Sequence, residues 1–593
     1  MDPAAASRRA PAVAVGAISI TVALATAAVA SRGTFVHDDY WNLDTFGDRG
    51  WGWWFLGRPT FGHVVPGFNA AVAVVASLGG RWSVAVVQVA VLAGALPIAA
   101  FATARALGAR QAPAIVAAAL VASQVGWASA MTWWAAALNT YPVALAGMAV
   151  VAATPGIVRG RRSAAVAASA AMVVGASFTE GALAFLAYPL VALVLVPVPR
   201  GGHGVRRRVS VWWAARVQVA ILGLPVAVAA AWRASAPEPL GRWPHPQPID
   251  VVAFVPSFVA RGLFPGLVGL VDHQVLVAGS RTATVVAAVV AVASIGVVAL
   301  PRLGAGFRPA LVGAVAVVVV RAAAVAWGRL EVLGWDLAVQ ARYVVDLAWM
   351  IPVLVVAHLP ALAPPRRRVL VVVAVALVAA GLWGQAIVVA DAPFHRARAY
   401  RDRVAASVAA AGPEVAVLDG AVPSTVLGPE FGAATFLSRA LGAADQELPF
   451  SSRGPFVRIG PDGGAGRVRL VPVAGAGVAD AYTEVGAPGV THDGGCWTAG
   501  AAASTVWMPL SGPLGAGAWV VEVRFRPGSA GPLELVAADG GLRRSIHASE
   551  AALDHDRWLA PTLGFAGTQV GMVLGPGERA CVRSVLVHDV VPA

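Results

Sequence analysis

The sequence predicts a polytopic α-helical membrane protein that ends in a separate sheet-containing domain, and three observations lead to this prediction. The chain of 593 residues is 58% hydrophobic and only 13% charged, unlike ordinary globular proteins. Apolar runs long enough to cross a bilayer recur throughout residues 1–390. Beyond residue 390, glycine and proline become frequent and short alternating strands appear, which is typical of a β-sandwich.

The net charge of +13 could indicate nucleic-acid binding, but its distribution argues against that class. Residues 1–390 carry 28 arginines and 12 acids, whereas residues 391–593 carry 16 arginines and 19 acids. The excess positive charge therefore belongs to the apolar part, where arginines in cytoplasmic loops fix the orientation of membrane helices. The expected partner is a lipid bilayer and not nucleic acid.

We predict about 11 transmembrane helices, with the N-terminus in the cytoplasm. In this arrangement the arginine clusters between the spans all fall on the cytoplasmic side, and the C-terminal domain lies outside. The apolar stretch 63–78 would be a twelfth span, but it would invert every later loop, so we expect a helix on the outer surface. The predicted spans are 10–30, 82–104, 112–131, 134–153, 163–179, 181–199, 209–232, 281–300, 309–327, 343–362 and 369–390.

Three regions follow from this pattern. Residues 1–390 form the transmembrane domain, with long external loops at 31–81 and 233–280; the second loop contains an amphipathic or re-entrant stretch at 250–270. Residues 391–480 read as an extracytoplasmic α/β connecting region, and 481–593 as an extracytoplasmic β-sandwich that could bind carbohydrate, by analogy to its fold class. In an extracellular domain Cys496 and Cys581 would be disulfide candidates; the alternative is two buried free thiols.

The segment 35–48, directly after the first span, is the most unusual stretch. Asp38 and Asp39 repel each other beside an apolar helix, so their presence suggests proton abstraction or cation binding. The alternative is a solvated loop or a helix cap. Aromatic and amide neighbours favour a sugar site, because rings stack on sugars and amides bind hydroxyls. These neighbours are His37, Tyr40, Trp41 and Asn42, whereas Asp44 and Asp48 are expected to be solvated loop acids.

A first span, an external loop with an Asp-Asp motif, a surface helix and many later spans resemble the GT-C superfamily of glycosyltransferases, which use polyprenyl-phosphate sugars. His63-Val64-Val65-Pro66 is similar to the His-x-x-Pro segment of this group, and Ala341-Arg342-Tyr343 to the Arg-Tyr start of a late helix. The large C-terminal domain is most similar to that of the actinobacterial arabinosyl- and mannosyltransferase branch. The resemblance implies an inverting hexosyl- or pentosyltransferase of the plasma membrane. Its donor would be a polyprenyl-phosphate-linked sugar, and its acceptor a cell-envelope glycan or glycolipid.

By this resemblance the general base is Asp38 or Asp39, with Asp38 favoured. The departing lipid phosphate needs cations, and arginine binds phosphate in two places; the candidates are Arg58, Arg261, Arg321 and Arg342, with His63 and Tyr343 as further substrate-binding residues. Arg321 lies inside a predicted span, so it faces a cavity or pairs with Glu331, Asp336 or Asp346. Glu180, at an outer membrane face, could bind an acceptor hydroxyl, a metal or an arginine.

No zinc-type Cys/His spacing is present in the sequence, and a divalent cation is the one candidate cofactor. Two other function classes stay open. One is a transporter or flippase of lipid-linked sugars, although the few acids within the spans disfavour proton-coupled transport. The other is a non-catalytic membrane scaffold whose external domain binds glycan.

Overall fold

The computed structural model describes residues 3–195, 204–237, 245–267, 307–359, 364–476, 481–483, 490–517, 519–526, 534–539, 542–546, 553–554, 556–562 and 565–593. Contacts between Cα atoms divide the chain into two compact units. The membrane unit contains Met1–Thr34, Asp48–Leu78 and Trp82–Ala392, and the C-terminal unit contains Phe35–Gly47, Gly79–Arg81 and Pro393–Ala593. Most of the acidic motif is thus part of the C-terminal unit, although the sequence assigned it to a loop of the transmembrane domain.

Helices account for most of the described residues before residue 392. They are α1 (Pro3–Ala30), α2 (Asp38–Arg49), α3 (Trp53–Leu56), α4 (Pro66–Ser77), α5 (Trp82–Ala106), α6 (Gln111–Ala122), α7 (Trp127–Thr132), α8 (Trp134–Val158), α9 (Arg162–Phe178), α10 (Ala187–Leu195), α11 (Gly204–Ala234), α12 (Pro248–Ser257), α13 (Phe264–Leu267), α14 (Phe307–Leu333), α15 (Val345–Ala348), α16 (Met350–His358) and α17 (Pro364–Ala390). A π-helical turn, Phe258–Leu263, joins α12 to α13, and 3₁₀ turns cover Glu180–Leu186, Trp335–Val339 and Ala341–Tyr343.

The chain is a multi-pass helical membrane protein with a C-terminal sheet domain, as the sequence predicts. Among the described residues, seven helical stretches are long and apolar enough to cross a bilayer. They are Pro11–Ala30, Trp82–Ala106, Trp134–Val158, Ala215–Ala234, Pro248–Leu267, Phe307–Leu333 and Arg368–Ala411. The predicted number of about 11 spans is therefore not confirmed.

The remaining predicted spans are shorter or interrupted helices, except the one at 281–300, which lies outside the described residues. The span predicted at 112–131 breaks after Ala122, where the Trp127 indole Nε1–H donates to the carbonyl of Val121 (2.7 Å). The span predicted at 343–362 ends at His358, because Leu359 is extended before Pro360. Conversely, Pro248–Leu267 is an apolar helical stretch of 20 residues, including the π-helical turn, where an amphipathic or re-entrant stretch was expected at 250–270. Within 63–78, residues Pro66–Ser77 form the 12-residue helix α4; its position at the outer membrane surface stays a prediction.

The C-terminal unit begins with helix α18 (Pro393–Ala411) and includes the short helix α19 (Leu437–Gly442) and a 3₁₀ segment, Pro429–Thr435. After the short strands β1 (Pro59–Thr60) and β2 (His63–Val64) of the membrane unit, the described strands are β3 (Ala416–Leu418), β4 (Phe456–Ile459), β5 (Ala465–Ala476), β6 (Tyr482–Thr483), β7 (Thr491–Asp493), β8 (Cys496–Thr498), β9 (Ser504–Gly517), β10 (Val520–Phe525), β11 (Glu534–Asp539), β12 (Leu542–Ile546), β13 (Leu553–Asp554), β14 (Arg557–Pro561), β15 (Phe565–Leu574) and β16 (Arg579–Pro592). The larger sheet follows the order β13-β14-β10-β16-β5-β4-β3, and β8 joins β16 to β7; the smaller sheet follows the order β12-β11-β15-β9-β6.

The two sheets share one hydrophobic core, as in a β-sandwich. Met508 and Met572 of the smaller sheet are buried in the same cluster as Val523 and Trp558 of the larger sheet. A disulfide joins Cys496 in β8 to Cys581 at the start of β16. The larger sheet contains strands from both sides of residue 480, so the expected division between connecting region and sandwich is not a boundary between sheets. The reason is that β5 pairs directly with the last strand, β16.

A buried ionic cluster lies on strand β10 of the larger sheet. Glu522 is 1% exposed, and it accepts hydrogen bonds from Arg557 (2.9 Å) and Arg524. His588 Nε2 lies 2.8 Å from the same carboxylate. Burial alone would raise the pKa of Glu522, but the hydrogen bonds from His588, Arg557 and Arg524 outweigh it and hold this pKa well below its usual value of 4.5.

Because the pKa of Glu522 is lowered in the folded protein, the C-terminal sheets should become less stable at low pH. The contribution of Glu522 is fully present above its unfolded-state pKa and is lost as the pH falls below about 4.5. We expect hydrogen exchange of β10, β14 and β16 to accelerate in the full chain as the pH is lowered from about 5 to 3, after correction for intrinsic exchange rates. Glu522→Gln should remove this slope, whereas the control Glu578→Gln should keep it. An unchanged slope in Glu522→Gln would show that other acids cause the effect.

Candidate functional site

The Asp-Asp motif forms the start of helix α2. His37 precedes it with φ 49°, a left-handed conformation uncommon for a residue with a side chain, and its N–H donates to the carbonyl of Val426 (2.7 Å). Asp38 and Asp39 are 9% and 0% exposed. Peptide N–H groups at a helix start favour negative side chains. The backbone can therefore stabilise two adjacent, mostly buried carboxylates.

The two aspartates differ in their contacts. One carboxylate oxygen of Asp39 accepts a hydrogen bond from the N–H of Val36 (3.0 Å), which lies two residues before α2 begins. The backbone carbonyl of Asp38 accepts from the Asn42 side-chain amide (2.7 Å). Asp39 therefore accepts a local backbone hydrogen bond at the start of α2, and the assignment of the base to Asp38 stays a prediction.

Asp44 and Trp41, further along the acidic motif, contact later residues of the C-terminal unit. Arg439 forms a 2.8 Å ion pair with Asp44, whose side chain is 13% exposed. The ring of Trp41 lies 5.9 Å from that of Phe431, measured between centroids. The expectation that Asp44 is a solvated loop acid is therefore wrong. No local sequence pattern predicts this pair, because Arg439 lies 395 residues after Asp44.

A second polar cluster lies within the membrane unit and includes two predicted site residues, His63 and Glu180. His63 Nδ1 is 3.1 Å from a carboxylate oxygen of Glu180. Arg233, at the end of α11, donates to both oxygens of that carboxylate, at 2.9 and 2.7 Å. Of the partners expected for Glu180, the structure supplies an arginine. Arg233 was missed, although its position at the outer end of the predicted seventh span was a usable signal.

A strained hairpin positions His63. Strands β1 (Pro59–Thr60) and β2 (His63–Val64) are joined by two residues with positive φ, Phe61 at 50° and Gly62 at 81°. Two successive positive φ angles are those of a type I′ turn, which suits glycine but is unusual for phenylalanine. The Phe61 ring lies under the guanidinium of Arg329, with the cation 5.4 Å from its centroid.

Arg321 pairs with Asp346, one of the three acids that the sequence analysis considered as its partner. One of its terminal nitrogens lies 2.8 Å from a carboxylate oxygen of Asp346, and the side chains are 9% and 1% exposed. A buried pair of this kind requires both charges, since either one alone would be costly away from water. The positive charge of Arg321 is thus neutralised within the membrane unit.

Gly181 allows Arg321 to take this position. A Cβ built on Gly181 would overlap the Arg321 guanidinium. We expect Gly181→Ala to displace the guanidinium from Asp346 and to destabilise the protein by about 1–3 kcal/mol, read as faster thermal inactivation in detergent. The matched control is Gly223→Ala in α11, where no atom lies within 4 Å of the added methyl group. Equal stability of the two variants would contradict this packing.

The other predicted arginines differ in their surroundings. The guanidinium of Arg342 lies over the rings of Trp133 and Tyr343, with its central carbon 4.5 and 4.9 Å from their centroids. Its Nε–H donates to the side-chain carbonyl of Gln340 (3.2 Å). These described partners carry no negative charge, so the guanidinium keeps its positive charge while the rings fix its plane.

Two further arginines offer less to a ligand. Arg261 lies 3.4 Å from the carboxylate of Asp336. Arg58 is 2% exposed, and its guanidinium lies over the Phe55 ring at 5.0 Å. In the part of the chain that the structure describes, no three His, Cys, Asp or Glu side chains form a group that could hold a metal ion. The divalent cation therefore remains a prediction.

No protein-family model and no curated protein sequence matches the chain. Among solved structures, it is similar to the arabinofuranosyltransferase AftD from mycobacteria at 12% identity and a TM-score of 0.35, over 99% of this chain and 60% of that one. It is similar to the arabinosyltransferase EmbB from Mycobacterium smegmatis at 11% identity and a TM-score of 0.36, over 97% and 64%. The chain spans less than two thirds of the length of either protein. At TM-scores of this size, the likeness decides neither the fold nor the function of this chain.

Proposed function

We propose that the chain is an inverting membrane glycosyltransferase that acts at the outer face of the plasma membrane. The donor is a polyprenyl-phosphate-linked sugar, and the acceptor is a glycan or glycolipid of the cell envelope. The observation that carries the proposal is the Asp38–Asp39 pair, which is mostly buried at the start of α2 and begins eight residues after the first membrane helix ends. The GT-C-like motifs of the sequence point in the same direction.

The proposed reaction is a single displacement at the anomeric carbon. The acceptor hydroxyl oxygen attacks that carbon and forms the new glycosidic bond, while the bond to the phosphate oxygen breaks. The lipid phosphate leaves with the electron pair, and the hydroxyl proton passes to the carboxylate of Asp38. A sugar hydroxyl is a weak nucleophile, so a positioned base typically contributes about 10² to 10⁴-fold to the rate. Attack opposite the leaving group inverts the anomeric configuration.

Arg342 is the arginine best suited to bind the donor phosphate. Its described contacts leave it without a carboxylate partner, whereas Arg321 and Arg261 each face one. Arg342→Ala should therefore raise KM for the lipid-linked donor by about tenfold, as expected for a lost charged hydrogen bond. Arg261→Ala serves as the matched control and should change KM little. Equal effects of the two variants would remove Arg342 from the phosphate site.

The overall proposal can be tested with purified protein and lipid-linked sugars carrying a labelled pentose or hexose. Wild-type protein should transfer label to a glycan or glycolipid acceptor. The Asp38→Asn, Asp39→Asn double variant should express and fold normally but should lose transfer. Full transfer by the double variant would disprove the assignment of the base. Movement of the lipid across the membrane without transfer would favour a flippase.

A further inference from the structure

An apolar groove runs along the surface of the membrane unit, between helices α9 and α11. Its volume is about 760 Å³, and eight of its nine lining residues are Val, Ala, Ile, Leu or Ser. The ninth is Arg216, which is exposed. A volume of this size is within the range of small-molecule sites in proteins. The groove is separate from every residue assigned above to the transfer reaction.

Two hydrogen bonds fix the direction of the groove. The Ser169 hydroxyl donates to the carbonyl of Ile221 (2.6 Å), and the Gln218 amide donates to the carbonyl of Gly160 (3.0 Å). The two helices thus run in parallel, with the beginning of α9 next to the part of α11 around Gln218. Arg216 precedes Gln218 by two residues. It therefore lies at the end of the groove where α9 begins.

That end of the groove is strongly basic. Arg159, Arg161 and Arg162 are exposed at the start of α9. Together with Arg216 they place positive charge at one end of the groove. In the topology predicted from the sequence, this end faces the cytoplasm. Basic pockets between membrane helices on that side are the recognised sites of anionic lipid head groups. A lipid with one negative phosphate in its head group and a long acyl chain matches both the charge and the apolar lining.

We propose that this groove binds an anionic phospholipid of the inner leaflet, with an acyl chain between α9 and α11 and the head-group phosphate at Arg216. The arginines near the start of α9 add attraction but no specificity. A zwitterionic lipid could fill the groove equally well, but its phosphate is balanced by its own cation. Selectivity for net negative charge is therefore the property that distinguishes the site from ordinary contact with the bilayer.

Native mass spectrometry of the full chain, released from detergent in the presence of phosphatidylglycerol or phosphatidylcholine, tests this proposal. Wild-type protein should retain phosphatidylglycerol about tenfold more strongly, as expected for a charged hydrogen bond. Arg216→Gln should reduce retention to the level of phosphatidylcholine. Ala220→Trp should fill the groove and reduce retention of both lipids. The matched control is Arg110→Gln, which removes an exposed arginine that does not line the groove and should behave as wild type.

The proposal is overturned if Arg216→Gln and Arg110→Gln retain phosphatidylglycerol equally, or if wild-type protein shows no preference between the two phospholipids. Stronger retention of a polyprenyl phosphate than of phosphatidylglycerol would also overturn it, because the occupant would then be a donor-type lipid. Thermal unfolding of each variant shows whether it is folded. If Ala220→Trp does not fold, Arg216→Gln decides the question alone, since its side chain is exposed.

Discussion

Asp38→Asn is expected to lower the rate of sugar transfer by about 10² to 10⁴-fold while leaving thermal unfolding close to that of the wild type. The amide keeps the size of the side chain but cannot accept the hydroxyl proton. The matched variant is Asp39→Asn. Its side-chain oxygen can still accept the Val36 N–H hydrogen bond, so most of the activity should remain. Initial rates with saturating donor and acceptor measure the difference.

A third substitution separates the structural hydrogen bond of Asp39 from catalysis. Asp39→Ala removes the acceptor for the Val36 N–H and should destabilise the start of α2 by about 1–2 kcal/mol. If Asp39→Asn abolished transfer and Asp38→Asn did not, the roles of the two aspartates would be reversed. If neither single variant lost activity, the motif would not supply the base.

Removing one member of the Arg321–Asp346 pair should have the largest effect on stability, about 3–5 kcal/mol. Arg321→Ala leaves Asp346, with a side chain 1% exposed, as an uncompensated charge in the membrane unit. We expect irreversible inactivation in detergent at a much lower temperature. The double variant Arg321→Met, Asp346→Leu removes both charges and should recover most of the loss.

The same variants distinguish a structural pair from a phosphate site. If Arg321→Ala were as stable as the wild type but needed far more donor, Arg321 would bind the donor phosphate, and the pairing with Asp346 would be secondary. Restored stability without restored transfer in the double variant would indicate that Arg321 has both roles.

Composition and hydropathy were sufficient to predict a helical membrane protein with a sheet domain at its end. The apolar runs predict helices directly, because the bilayer offers no partners for backbone hydrogen bonds and a helix satisfies them internally. Their lengths were less certain: in 343–362 apolar residues continue past His358, although the helix stops there, before the proline at 360. Alternation predicted strands such as β10 and β16, but not the pairing of β5 with β16, in which Val468 pairs with Pro592.

Individual site residues could be singled out from the sequence, but their contacts with each other could not. The sequence singled out Glu180 and His63, yet the contact between them depends on a hairpin and a 3₁₀ turn more than 100 residues apart. The sequence left three acids open as partners of Arg321. Packing at Gly181 helps to place its guanidinium against Asp346. The support of the acidic motif by Arg439 depends on long-range contacts that no local pattern encodes.

The most direct test of the proposed function is a reconstituted assay in which purified protein in liposomes receives a lipid-linked sugar and a soluble glycan acceptor. The assay measures glycosidic-bond formation separately from movement of the donor between leaflets. We predict new glycosidic bonds of inverted configuration with wild-type protein and with Asp39→Asn, and almost none with Asp38→Asn. Donor movement without bond formation, or equal bond formation by Asp38→Asn, would contradict the proposal.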